Sequence, residues 1–169
     1  MAEYLDLYDD WGRPTGRRIQ RGEPLPAGCR MLLVSVMTVN AAGEILLTRR
    51  APEKRYAGKW EITAGCVQAG ESAAEGAVRE LREETGILVS EAELTDCGCT
   101  IHADFVHAFF LVHHDIPQEQ VQLQAGETDG AQWVTPQMLL VMSEEGKTVW
   151  KHNTLIMRHF ADVFRGCGI

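Results

Sequence analysis

Residues 31–39 (MLLVSVMTV) are apolar at all but two positions. A strand wetted on one face alternates in polarity, so a run without alternation predicts a central strand covered on both faces of a layered α/β domain. Asn40-Ala41-Ala42-Gly43 supplies turn residues, and residues 44–48 return as the second strand of a hairpin. A different period governs residues 72–85, where Ala74, Ala77, Val78 and Leu81 recur at helical spacing. Ser72-Ala73-Ala74-Glu75 has the form of a capping box, and Gly86 stands where a helix stop is expected. Farther on, residues 98–103 and 106–113 read as paired strands and 132–134 as another. Thr135-Pro136 opens a helix to about Glu145, and a last helix is predicted over 150–164. Before the central strand, residues 4–9 suit a short edge strand, and 9–28, rich in Gly, Pro and Arg, suit an extended arm with turns. This order predicts an α/β fold with helices on both sides of a mixed sheet.

At 169 residues, without an internal repeat or low-complexity linker, the chain reads as one domain, 29–169, preceded by an N-terminal arm, 1–28. Such an arm could exchange across a homodimer. Sixteen Lys+Arg against 24 Asp+Glu give a net charge of -8, which repels a nucleic-acid backbone but leaves room for a small anion held by local charge or a bound cation. The first residues lack the basic and apolar regions of a signal peptide, and no apolar run approaches membrane-spanning length. A cytoplasmic protein with no membrane or nucleic-acid partner is therefore expected. Cys29, Cys66, Cys97, Cys99 and Cys167 show no C-x-x-C pair and read as reduced thiols.

Glu80, Glu83 and Glu84 stand at i, i+3 and i+4, so three carboxylates leave one side of the predicted helix within a turn. Like charges at these spacings cost a helix a few tenths of a kcal/mol per pair. A helix selected only to fold would interleave lysines there. Taken alone, Arg79-Glu80-Leu81-Arg82-Glu83-Glu84 is more often a solvated charged face, but carboxylates so gathered also suit a hard divalent cation that shares phosphate oxygens.

The wider segment decides between these readings. Residues 65–87, GCVQAGESAAEGAVRELREETGI, resemble the Nudix box G-x5-E-x7-R-E-U-x-E-E-x-G-U, where U is a bulky aliphatic residue. Every fixed position is met, by Gly65, Glu71, Arg79, Glu80, Leu81, Glu83, Glu84, Gly86 and Ile87. The resemblance implies a Nudix α/β/α sandwich and Mg2+-dependent hydrolysis of a diphosphate linkage in a small organic pyrophosphate, with Mn2+ as a substitute cation. It implies that Glu80, Glu83 and Glu84, with a carbonyl from Ala64 or Gly65, hold the metal. Glu71 and Arg79 would fix the loop against the helix.

Leu5-Asp6-Leu7-Tyr8, Gly12-Arg13-Pro14-Thr15-Gly16 and Ile45-Leu46-Leu47-Thr48-Arg49-Arg50 resemble the branch that includes isopentenyl-diphosphate isomerase. That isomerase uses a cysteine before its box and histidine ligands, whereas Ala64, Cys66 and Met31 stand at the matching positions here. An isomerase and a non-catalytic ligand-sensing module are the alternatives to hydrolysis. Arg49, Arg50, Lys54 and Arg55 cluster just before the box, in a region that often contacts substrate phosphates in the family. The resemblance makes Arg49, Arg50 and Lys54 candidate phosphate contacts, with a solvated surface cluster as the alternative. In many family members a further carboxylate from the corresponding loop completes the metal site or activates water, and here Gln124-Ala125-Gly126-Glu127-Thr128-Asp129-Gly130 offers Glu127 and Asp129. The longer side chain favours Glu127 as the candidate base, with Glu80 as its rival and a solvated acidic turn as the plain alternative. Cys66 replaces a second loop glycine common in relatives, and would be strained if that position needs a positive φ. Trp60, Phe105, Phe109 and Trp133 could stack a base or fill the core.

Overall fold

The computed structural model of the chain describes residues 2–149 and 154–165. Its centre is β3 (Met31–Val39), which runs parallel to β8 (Phe105–His113) over its whole length. On its other side β3 meets β6 (Thr63–Cys66) antiparallel, and its end turns into β4 (Ile45–Arg50). Strand β4 carries β5 (Trp60–Glu61) and β9 (Thr128–Val134), while β7 (Thr95–Ile101) pairs with β8, completing a mixed seven-stranded sheet.

Helix α1 (Ala73–Thr85) covers one face, burying Ala77 and Leu81 against Val34, Val36 and Val106. Helices α2 (Pro136–Glu144) and α3 (Thr154–His159) cover the other, where Leu139, Leu140 and Ile156 meet Met37, Leu47 and Phe109. Successive residues of β3 thus enter two different cores, which is why its sequence shows no polar alternation. The expected α/β/α sandwich is the architecture observed. Among the described residues no helix is long and apolar enough to cross a membrane.

The N-terminal segment differs from an extended arm. Residues of β1 (Tyr4–Tyr8) pair antiparallel with β2 (Pro14–Gln20), and the hairpin buries Leu5, Leu7 and Ile19 with Cys29. Alternation in Tyr4-Leu5-Asp6-Leu7-Tyr8 turns both leucines inward. Backbone bonds exchanged by Tyr8 and Arg30 at 2.8 Å tie the hairpin to the start of β3.

Three further boundaries moved. Strand β7 starts before Gly98, which at φ 86° sits within a register shift between Asp96 and Cys99, so a bulge accommodates the glycine that suggested a strand start. Strand β9 begins at Thr128, since pairing with β4 extends it into the expected loop. The last helix is only Thr154–His159 within the predicted 150–164. Residues 150–153 lie outside the described residues, and after His159 the chain tightens into turns that keep Phe160 and Phe164 in the core.

Candidate active site

The carboxylate-bearing turn is held at both ends of its helix. Ser72 Oγ accepts from the Glu75 N–H at 3.1 Å while Glu75 Oε2 accepts from the Ser72 N–H at 2.7 Å, closing the capping box. At the other end Gly86, φ 74°, returns its N–H to the Arg82 carbonyl. With Ala77 and Leu81 fixed in the core, Glu80 and Glu84 are carried over strand β6 and buried, at 8% and 7% exposure. The strand admits them because Gly65 has no side chain: a Cβ there would lie 2.1 Å from Glu80 Cδ.

Arg79 organises this turn by spending all five of its N–H groups. Nε donates to Glu71 Oε1 at 2.7 Å, and Nη2 donates to Glu71 Oε2 at 3.0 Å and to the Cys66 carbonyl at 2.9 Å. Nη1 donates to Glu80 Oε1 at 2.8 Å and to Glu83 Oε2 at 3.2 Å. Burial raises the pKa of Glu80, against the opposing pull of Arg79. Among the described residues Glu84 forms no such ion pair, and Arg50 opposes the effect of its burial only weakly. Burial, with Glu61 and Glu80 nearby, lifts its pKa well above the usual carboxylate range, although the Ala64 N–H favours its charged form. Its Oε2 is buried without a hydrogen-bond partner among the described residues.

A hard divalent cation fits this donor set. The ligands are carboxylate oxygens, one of them buried and unsatisfied, and a cation would favour the ionised forms that burial disfavours. Among the described residues no three His, Cys, Asp or Glu side chains already form a metal cage. Arg79 holds Glu80 and Glu83 in this arrangement, so a cation would compete with it for them.

The carboxylates line a cleft of about 280 Å³ whose walls also include Glu3, Arg21, Ala64, Gly65, Gln124 and Glu127. Glu127 therefore reaches the site, ion-paired with Lys54 at its edge. Asp129 does not line it and pairs with Arg49 at 2.7 Å. Arg49, which also lies over the Trp60 ring, and Arg50, which pairs with Glu61 at 2.5 Å, are likewise outside the cleft lining. The three cations proposed as phosphate contacts are thus each matched to a carboxylate.

Sequence reasoning did not single out Glu61, Glu3 or Arg21. Glu61 is 5% exposed, its pKa raised by burial against the pull of Arg50. The signal was present in Glu61-Ile62-Thr63, where period-two alternation puts the acid on one face with Thr63. Glu3 and Arg21 carried no local signal. Cys66 is not strained, since Tyr56 is the one non-glycine residue with positive φ among the described residues, and Cys66 pairs with Leu33 in extended strand. Burial raises its thiol pKa, which disfavours the thiolate. Phe109 is core, Phe105 stacks on His102, and Trp60 and Trp133 line a separate groove with Met138 and Met142. Cys29, Cys66, Cys97 and Cys99 are free thiols, and Cys167 lies outside the described residues.

The chain is similar to known proteins over most of its length. An uncharacterized Nudix hydrolase of Pseudomonas aeruginosa is 32% identical over 142 residues, covering 82% of each chain. The Escherichia coli CTP pyrophosphohydrolase is 32% identical over 117 residues, covering 66% of this chain and 81% of its own. In fold, the chain superimposes on a Deinococcus radiodurans protein with a TM-score of 0.73 at 22% identity, covering 99% and 100% of the two chains. It also matches the NUDIX domain of Shewanella oneidensis NrtR, solved with ADP ribose, with a TM-score of 0.65 at 16% identity over 85% and 94%. The family model for the NUDIX domain matches residues 30–157, and with a complete box on a capped helix the chain belongs to the Nudix family.

Proposed function

We propose that this chain is a Mg2+-dependent pyrophosphohydrolase, able to use Mn2+, that cleaves the diphosphate linkage of a small nucleoside diphosphate derivative. The observation that carries the reading is the pairing of buried Glu80 and Glu84, with an unsatisfied Glu84 oxygen, beside a glycine that leaves them room. Relatives named for CTP pyrophosphohydrolase and, in Bacillus subtilis, for putative 8-oxo-dGTP diphosphatase support a nucleotide substrate.

In this reading Glu80, Glu83, Glu84 and the Ala64 carbonyl hold the cation, with buried Glu61 near Glu84. When bound, the cation offsets phosphate charge and lowers the pKa of a coordinated water. Water oxygen bonds to phosphorus, the anhydride P–O bond breaks, and the leaving phosphate departs with the bridging oxygen. Glu127, at the cleft wall, takes the proton once its pairing with Lys54 gives way, and Lys54 is then free to meet a phosphate oxygen. Glu80 is the competing base. Arg79 keeps the carboxylates aligned and Arg50 keeps Glu61 in place.

The test is turnover of CTP, 8-oxo-dGTP, ADP-ribose and a dinucleoside polyphosphate by the purified chain with Mg2+, followed by nucleotide product analysis. Metal-dependent release of a nucleoside monophosphate from at least one is expected. Inactivity on all four overturns the reading.

A further inference from the structure

The two guanidinium groups in the cleft wall differ in what they have left to give. Arg79 has no N–H free. Arg21 uses Nη1 alone, donating to Glu3 Oε1 at 3.0 Å and Oε2 at 2.8 Å, so its Nε and Nη2 have no hydrogen-bond partner among the described residues. Both Arg21 and Glu3 lie outside residues 30–157, the segment that matches the family model.

Arg21 is brought there by construction. Hairpin β1–β2 is fastened to the loop that leads into α1: the Ala69 N–H donates to the Tyr4 carbonyl at 2.8 Å, and the Gly70 N–H to Asp6 Oδ2 at 2.7 Å. Arg18 pairs with the same Asp6 across the hairpin, and the Arg21 N–H donates to the Glu3 carbonyl at 2.8 Å, setting the ends of both strands at the cleft. The cleft presents five carboxylates, Glu3, Glu80, Glu83, Glu84 and Glu127, to a polyanionic substrate. A cation there that retains planar, paired donors is matched to a phosphate group.

We infer that Arg21 is a substrate-positioning residue supplied by the N-terminal hairpin, its free Nε and Nη2 binding a phosphate of the diphosphate group, while Glu3 holds Nη1 and offsets part of its charge. The inference rests on the proposed diphosphate chemistry. Glu3 holds only Nη1, so a phosphate takes the free Nε and Nη2 donors while the Glu3 carboxylate competes for the same positive charge, and the hairpin need not refold.

Binding of imidodiphosphate, which resists hydrolysis, separates this role from a merely structural one. Its affinity is measured by titration calorimetry with Mg2+ in the wild type, Arg21→Ala, Arg21→Lys and Glu3→Gln, alongside KM and kcat for the best nucleotide substrate. Arg21→Ala should weaken binding and raise KM about tenfold or more, with a smaller change in kcat, the scale of a lost charge-assisted contact. Arg21→Lys should recover part of the affinity. Glu3→Gln should move the other way, tightening binding a few-fold by removing the competing carboxylate. Equal weakening by Arg21→Ala and Glu3→Gln would mean that the ion pair only braces the hairpin, and unchanged affinity in Arg21→Ala would exclude the contact; either result overturns the inference. A wild type that binds imidodiphosphate through Arg21 but hydrolyses no nucleotide would remove the proposed activity and leave the site. No binding by the wild type overturns the inference even if turnover is found.

Discussion

Glu71 accepts a forked pair of hydrogen bonds from Arg79, 2.7 Å from Nε and 3.0 Å from Nη2, and this fork locks the loop before α1 to the helix that carries Glu80, Glu83 and Glu84. Burial would raise the Glu71 pKa, but Arg79 and the Gln68 N–H hold it below its ordinary value. Removing Glu71 leaves two donors of a mostly buried guanidinium without their acceptor. Glu71→Ala should cost about 1–3 kcal/mol of stability and reduce turnover with it. Denaturant unfolding measured beside activity checks this, and loss of turnover at full stability would instead give Glu71 a direct catalytic role.

Gly65→Ala is expected to damage activity far more than folding. The new methyl group would contact the end of a flexible side chain, so the Glu80 carboxylate would be pushed aside while the strand persists. A rate at least tenfold lower at a near-normal Tm is the predicted outcome. Full activity would show that the position of Glu80 is not critical.

Glu83→Gln keeps shape and removes charge. A fall of about two orders of magnitude in rate is expected if Glu83 is a metal ligand. Mg2+ titrations of activity should show weaker cation dependence as well, and wild-type turnover would remove Glu83 from the metal site.

Glu127 is exposed enough, at 41%, for its loss to leave stability nearly unchanged. Glu127→Gln should lower kcat at least tenfold, the scale of a lost general base. Near-normal kcat from pH 6 to 9 would transfer that role to Glu80.

His107 supplies a prediction about acid stability. Burial, with His102 and His159 nearby, pushes its pKa down to about 4 from an ordinary 6.5, and its Nε2 lies 2.8 Å from Ser35 Oγ. Between those values the unfolded chain binds the extra proton, so stability is full above about 6.5 and is lost as pH falls toward 4. The loss attributable to this group is up to about 3 kcal/mol. Urea midpoints from pH 7 to 4.5 should fall less steeply in His107→Gln than in the wild type. Parallel slopes would contradict the assignment.

Sequence alone determined the features written within a few residues of one another. Three carboxylates in one helical turn, the Ser72 cap and the Gly86 stop follow from helical spacing, and the unbroken apolar run of β3 follows from cover on two faces. The box could be read for the same reason: its parts are contiguous in the chain. Tertiary structure alone decided that Glu61 lies near Glu84, that Arg49 and Arg50 answer to Asp129 and Glu61, and that Glu3 and Arg21 enter the cleft. These relations join residues 3 to 129 through strand pairing and through the packing of hairpin β1–β2 on the box loop. Long-range register depends on which surfaces bury one another, and no local period in a single chain encodes it.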